Sequence, residues 1–294
     1  MAETPNFWAS KRRLEKASRV VVSLVLVAGS FAMLLPIVWM LSTSFKTRAD
    51  VFSIPPVWIP NPLHFENYPK AWTISGMFAS EGVTFTNYLI NTVIIATGNC
   101  LGATLSASLV AFAFARLRFP GRGILFTLCL ATMMVPDQVT MIPTFILFKT
   151  LGWYDTFLPL MVPAWLGGGA YNIFLMRQFF MTIPYEMDEA AKIDGCSNLG
   201  VYWSILLPLC KPALTTVAVF AFVYNWNDFL NPLIYLDTNS KKTLALGLTN
   251  FVSLYGQDYH LLMAASLCIS VPIIIIFLVG QKYFIQGIAT TGLK

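Results

Sequence analysis

Two stretches of this sequence hold residue types that could act on a partner or a ligand. The first runs Pro184, Tyr185, Glu186, Met187, Asp188, Glu189, Ala190, Ala191, Lys192, Ile193, Asp194, Gly195 and on to Ile205, Leu206, Leu207 and Pro208. Four acids and one Lys fall between Pro184 and Gly195, with apolar runs on both sides. Pro184 suits a first helical turn, where its missing N–H is not needed. The acids that follow suit the positive end of a helix dipole. Gly195 can adopt a left-handed stop, and Ser197 can cap a second helix running toward Pro208. The tract therefore reads as a short helical hairpin. It is either a solvated loop with acids set by the dipole or a docking element for another protein.

The second stretch is Tyr224, Asn225, Trp226, Asn227, Asp228, Asn231 and Pro232, a polar and aromatic block inside an apolar run. Amides, a carboxylate and rings suit a polyol, through hydrogen bonds to hydroxyls and stacking on sugar faces. Polar groups at membrane depth face a bundle interior or a water-filled path. The same block would serve equally as interhelical hydrogen bonding or as an interfacial aromatic belt. Trp165, Tyr171 and Asn172 form a weaker set of the same kind.

Catalytic chemistry finds no footing. No Gly-x-x-x-x-Gly-Lys-Ser/Thr phosphate loop occurs, and the Gly167–Gly169 run lies in an apolar segment with no Lys after it. No Ser, Cys or His stands in a nucleophile motif. The five Cys are far apart without a Cys-x-x-Cys pair, and His64 and His260 are isolated, so neither a disulfide framework nor a metal site is expected. No catalytic residue, metal or cofactor is assigned to this chain.

The elements that must carry these stretches follow from composition. Of 294 residues 56% are hydrophobic and only 11% charged, against about 25% charged in soluble domains. The expectation is an all-α polytopic membrane protein with six transmembrane helices. Val20 to Leu41 carries no charge and is long enough to cross a bilayer of about 30 Å. Residues 1–19 are a basic leader, and the spans are expected at about 20–44, 87–115, 123–139, 156–176, 209–236 and 261–283. The hairpin occupies 177–208, and 285–294 form a tail. Residues 138–149 read as a short helical or re-entrant piece. Gly98, Gly102 and Ser106 in the second span permit close helix approach, read here as packing within the chain. Six spans place both termini on one side. With the termini inside, inner segments carry thirteen Lys and Arg and outer loops six, so termini and hairpin are expected in the cytoplasm. The net charge of +5 then reflects these loops and not nucleic-acid binding.

The hairpin has a further pattern: Glu189-Ala190-Ala191, three residues to Gly195, nine more to Ile205, then Leu207-Pro208. It resembles the signature loop of the permease subunits of bacterial ATP-binding-cassette importers. The Trp226-Asn227-Asp228-Phe229-x-x-Pro232 segment is similar to the carbohydrate-uptake branch, and the tail to the second membrane subunit of maltose-type permeases. Cys196 departs from the Ala usual in the family, and Thr291 from a small apolar residue. The resemblance implies a multi-pass protein of the bacterial cytoplasmic membrane that moves a sugar or oligosaccharide. It implies ATPase coupling through Glu189, Ala190, Ala191, Asp194, Gly195, Ile205, Leu207 and Pro208. The Trp226 segment marks the branch more than a site; the candidate substrate path is read from the polar residues themselves, Asn225, Trp226, Asn227, Asp228 and Asn231, with Trp165, Tyr171 and Asn172. Gly256, Gln257, Asp258 and Tyr259, in a loop that reads by residue as plainly solvated, are the candidates to meet an extracytoplasmic solute-binding protein. The other implied partners are a second homologous permease and two cytoplasmic ATPases, which would hold ATP and Mg²⁺. Alternatives are an ion-coupled secondary transporter, or a permease for a non-sugar solute such as a glycerophosphodiester. A secondary transporter predicts ionisable groups at mid-membrane and inverted repeats. Only Asp137 and Asp228 lie near spans, and no repeat is visible.

Overall fold

The computed structural model describes residues 7–73, 82–253 and 256–291, with side chains over 15–73, 82–252 and 258–281. The fold is all-α apart from a two-residue strand pair, Val252–Ser253 with Gly256–Gln257. Two compact units are distinguished, residues 1–71 with 257–267 and residues 72–256 with 268–294.

The first unit holds helix α1 (Phe7–Ser44), the start of α2 (Asn67–Thr73) and the first turns of the last helix. Val20 to Val38 of α1 is exposed along its apolar surface, which suits lipid or another chain. Past its end the side-chain amide of Asn67 donates to the carbonyls of Ser44 and Lys46, both at 2.9 Å. The fully buried Lys46 ammonium lies 3.8 Å from the Trp39 ring centroid, a cation–π contact. Burial pushes the Lys46 ammonium below its ordinary range, with Asp50 opposing.

The second unit is built on α3 (Phe85–Arg116). The Asn87 side-chain oxygen accepts from the Thr84 amide at 3.0 Å and starts the helix. Small residues on α3 then admit its neighbours. A Cβ on Gly98 would lie 2.2 Å from the end of Met161, and one on Gly102 2.6 Å from the Trp165 indole. Ala107 and Ala111, both fully buried, join Phe112, Ile173, Met176, Phe180, Ala213 and Val217 in the core. The small-residue spacing thus serves packing within the chain.

The remaining helices are α4 (Arg122–Ala131), α5 (Asp137–Thr150), α6 (Leu158–Trp165) and α7 (Ala170–Thr182). The hairpin supplies α8 (Glu186–Ile193), α9 (Asn198–Val201), a wide π-turn at Tyr202–Leu206 and α10 (Leu207–Leu209). After it come α11 (Lys211–Trp226), α12 (Leu230–Tyr235), α13 (Leu244–Gly247) and α14 (Tyr259–Thr291).

Among the described residues four helical stretches are long and apolar enough to cross a membrane, and six if two bent pairs each count as one. The bends alter the expected spans. The segment expected at 123–139 turns by 100° between Met134 and Asp137. Val135 there is extended before Pro136, the conformation a residue preceding Pro is forced toward. The expected 209–236 span is not one helix. It stops at Trp226 and restarts at Leu230, because the Asp228 carboxylate accepts from the Asn231 amide at 3.2 Å and its side-chain N–H at 2.9 Å. The fourth segment breaks at Gly167, Gly168 and Gly169, with φ of 130°, 69° and 88°, then continues to Thr182. The first residues of the expected coupling loop 177–208 thus continue α7, and the chain turns at Ile183. The last helix runs to Thr291, through most of the expected tail.

Candidate functional site

The hairpin is built from local signals. Gly195 takes φ +85°. Its amide donates to the Lys192 carbonyl at 3.1 Å, and the Cys196 amide to the Ala191 carbonyl at 2.9 Å. That is the two-bond closure of a Schellman C-terminus. Ser197 Oγ then accepts from the Gly200 amide at 3.1 Å and starts α9.

Its residues divide between an outer edge and an inner face. Glu189, Ala190, Asp194, Gly195 and Pro208 are exposed. So are the apolar side chains of Met187, Ile193, Leu199, Trp203 and Leu209, with Ile193 at 86%. Ala191 faces the other way, into the chain's own core beside Val201, Tyr202 and Leu206, while Ile205 and Leu207 pack partly against it. The methyl of Ala191, expected from sequence to belong to the ATPase-coupling set, packs within the chain, whereas that of Ala190 is exposed.

Two polar links fix the inner face to α3. The Tyr202 hydroxyl lies 2.7 Å from Ser108 Oγ. Asp188, only 1% exposed, lies 3.4 Å (Oδ2) from Arg116 Nε. Burial pushes the Asp188 carboxyl up, and the Arg116 and Lys192 charges oppose it. Neither Arg116 nor Asp188 stands out in the sequence reading. Their signal is thin: one acid among three in the first turn of α8, one Arg among three after the second span.

The second site is a pair of adjoining hollows of about 440 and 620 Å³ in the larger unit. Asp137 and Tyr224 line both; Asp228 and Asn231 line the first, and Asn225 and Asn172 the second. Of the residues proposed from sequence, the structure brings Asn225, Asp228, Asn231, Tyr171 and Asn172 to these hollows. It does not bring Trp226, Asn227 or Trp165. Trp226 is buried at 2% exposure, stacks on Phe222 and donates from Nε1 to the Ile269 carbonyl at 3.2 Å. Asn227 turns back to the Val223 carbonyl at 2.8 Å. Trp165 covers Gly102. Residues one position apart on a helix point about 100° apart, so a contiguous polar block cannot all face one cavity. Asn99, buried on α3 and donating to the Leu160 carbonyl at 2.5 Å, also lines the second hollow. An Asn inside an uncharged span was its only sequence signal.

Two residues of the third expected set make contacts within the smaller unit. Asp258 pairs with Arg48 at 3.6 Å, and Tyr259 meets the Phe52 ring edge-on at 5.5 Å. Gly256 has no side chain, and that of Gln257 lies outside the described residues. No group of three or more His, Cys, Asp or Glu able to hold a metal occurs among the described residues.

Comparison with known proteins gives this arrangement a family. The family described as binding-protein-dependent transport system inner membrane component matches residues 103–290. The probable ABC transporter permease protein YurM of Bacillus subtilis is 32% identical over 263 residues, covering 88% of this chain and 83% of that protein. The arabinooligosaccharides transport system permease protein AraQ of Halalkalibacterium halodurans is 30% identical over 96% of this chain and 100% of its own length. The sn-glycerol-3-phosphate transport system permease protein UgpE of Yersinia pestis is 30% identical over 90% and 94%. Among solved structures, a chain of a bacterial ABC transporter that imports alginate superposes with a TM-score of 0.79 at 24% identity, over 92% of this chain and 98% of its own. Fold, hairpin and relatives agree: the chain belongs to the family of binding-protein-dependent transport system inner membrane components.

Proposed function

We propose that the chain is the non-catalytic permease subunit of an ATP-driven importer for a neutral sugar or oligosaccharide, working beside a second permease. Two ATPase subunits would hold ATP and Mg²⁺ and dock on the exposed edge of the hairpin around Glu189 and Ala190. An extracytoplasmic binding protein would deliver the solute. The charge count supports cytoplasmic termini and a cytoplasmic hairpin.

One observation carries the reading. The hairpin presents an exposed acidic and apolar edge outward, while its inner face is fastened to α3, and α3 lends Asn99 and Ala103 to a cavity wall. A partner pulling on that edge has a mechanical route to the cavity, and bistable packing converts such a pull into a switch of access. The cavity suits a polyol: amides and carboxylates to meet hydroxyls, with Tyr171 and Tyr224 to meet ring faces. AraQ, named for arabinooligosaccharides, supports a neutral solute over the phosphorylated one for which UgpE is named. Two carboxylates among the lining would repel an anion.

Purification from membranes in mild detergent tests the assembly, and proteoliposome uptake tests the activity. A second permease and an ATPase should co-purify, and uptake should need ATP on the ATPase side. Uptake by this polypeptide alone, or uptake abolished by an uncoupler while ATP is present, would sink the reading.

A further inference from the structure

The first turn of α8 carries three acids, Glu186, Asp188 and Glu189. The helix dipole favours all three equally, yet it asks none of them to leave solvent. Glu186 and Glu189 are exposed, and Asp188 is not. Its partner Arg116 is the last residue of α3, with its side chain 7% exposed. The guanidinium reaches the start of α8 at three places. Nη2 donates to the Ile183 carbonyl at 2.8 Å, Nε faces Asp188 Oδ2 at 3.4 Å, and Cζ lies 5.7 Å from the Tyr185 ring centroid.

The pair is not arranged for stability. Asp188 Oδ1 and Arg116 Nε are buried without a hydrogen-bond partner. A buried ion pair with unmet hydrogen bonds is commonly no more stable than apolar residues of the same volume. What the geometry does supply is a directional tether. Arg116 holds α8, and two turns earlier on α3 Ser108 holds the π-turn through Tyr202. The hairpin is thus fixed to α3 at both of its ends.

We propose that Arg116 and Asp188 are positioning residues that pass displacement of α8 into α3, and through α3 to the cavity wall at Asn99 and Ala103. The inference rests on the transporter reading above. It separates two functions of one loop: the exposed edge receives a partner, and the buried pair carries the movement inward. A load on α8 then moves α3 as well as α7, to which α8 is joined covalently.

The test uses the complete transporter in nanodiscs, in a cysteine-free background with one reporter, Gln138→Cys, in the cavity lining. The readout is the change in maleimide labelling rate between the nucleotide-free and the ATP-vanadate-trapped states. Arg116→Gln and Asp188→Asn should still co-purify with the ATPase and hydrolyse ATP at the basal rate. Their nucleotide-driven change in labelling should shrink by about 2- to 30-fold, the range seen for residues within a coupled element. Arg116→Lys keeps the charge but loses the fork and should fall between. The double variant Arg116→Met/Asp188→Leu leaves no unpaired charge, so it should fold and assemble yet respond as weakly as the single variants. A full labelling response in that double variant overturns the proposal. So does loss of the ATPase or of the folded chain in both the double variant and Arg116→Lys, which would assign the pair to docking or folding. An unresponsive wild type would overturn the transporter reading itself, and this inference with it.

Discussion

Adding one methyl group at Gly168 should be among the most damaging small changes this fold can suffer. Gly168 has φ +69°, and a Cβ there would lie 2.4 Å from the Ala103 carbonyl oxygen, 2.7 Å from Ala107 Cβ and 2.9 Å from the Ala107 amide nitrogen. A left-handed backbone costs a non-Gly residue about 1–2 kcal/mol. The contacts are with backbone and a Cβ, which cannot swing away, so overpacking adds about 1–3 kcal/mol. Gly168→Ala should therefore cost about 2–5 kcal/mol. The control is Gly152, whose φ of +72° matches that of Gly168 and which has nothing within 4 Å of its would-be Cβ, so Gly152→Ala incurs the backbone strain without the clash. Unfolding of the detergent-solubilised variants by graded SDS measures the difference. Gly168→Ala should be the less stable of the two by about the overpacking cost, 1–3 kcal/mol. Equal stabilities would mean that α7 does not approach α3 closely at this point. Because Gly168 also lines the larger hollow, surviving Gly168→Ala protein should show weakened uptake as well.

Ala190→Trp, on the exposed edge, should leave the chain folded and remove solute-stimulated ATP hydrolysis in the assembled transporter; unchanged stimulation would refute docking there. Trp226→Phe loses the hydrogen bond to Ile269 and part of the buried indole, so stability should fall by at least about 1 kcal/mol with uptake nearly intact. Asn225→Ala should do the reverse, and uptake kinetics beside SDS unfolding would expose a swapped pattern. Burial pushes the Asp155 carboxyl up, but hydrogen bonds from Lys241, from the Thr238 side chain and from the Thr238 and Asp237 amides outweigh it and hold it well below the usual carboxylate range. Its folded value lies under its unfolded one, so the stabilisation is present above about pH 4 and is lost as pH falls toward the folded value. Asp155→Asn should lower stability at neutral pH and flatten this acid limb; a parallel pH profile would rule out the linkage.

What the sequence made legible was what neighbouring residues decide among themselves. Gly195 and Ser197 mark the turn of the hairpin because each acts on backbone groups within a few residues. The long apolar helices follow from runs without charge. Facing was much less legible. Asn225 and Trp226 have the same polar and aromatic signature, yet one lines a cavity and the other is buried against α14. Only the orientation of α11 against its neighbours decides between them. The Arg116–Asp188 pair was invisible for a related reason: its members are far apart in sequence, and each has a sufficient local explanation, a basic loop for one and a helix dipole for the other.

Three of the places where the helices break have one feature in common, which the 80° bend between Leu209 and Lys211, at the end of the hairpin, does not share. Asp137 follows the bend after Met134, Gly168 and Gly169 lie in the gap before α7, and Asp228 lies in the gap before α12; all of them line the two hollows. Inside a bilayer an interrupted helix leaves amides and carbonyls without partners, and this is tolerated only where protein or water in a cavity can satisfy them. The breaks and the cavity therefore explain each other. The Asp228 carboxylate meets the restarting amide of Asn231, and the Asn172 side chain donates to the freed Gly168 carbonyl at 2.7 Å. Polar residues read from sequence as ligand contacts thus also have structural duties at the breaks. Replacing Asn172 by Leu should consequently both weaken uptake and destabilise the fold, whereas Tyr171→Phe, whose hydroxyl has no such duty at a break, should affect uptake alone. If Asn172→Leu proved as stable as the wild type, the breaks would not depend on their side-chain partners, and the link between irregular backbone and cavity would fail.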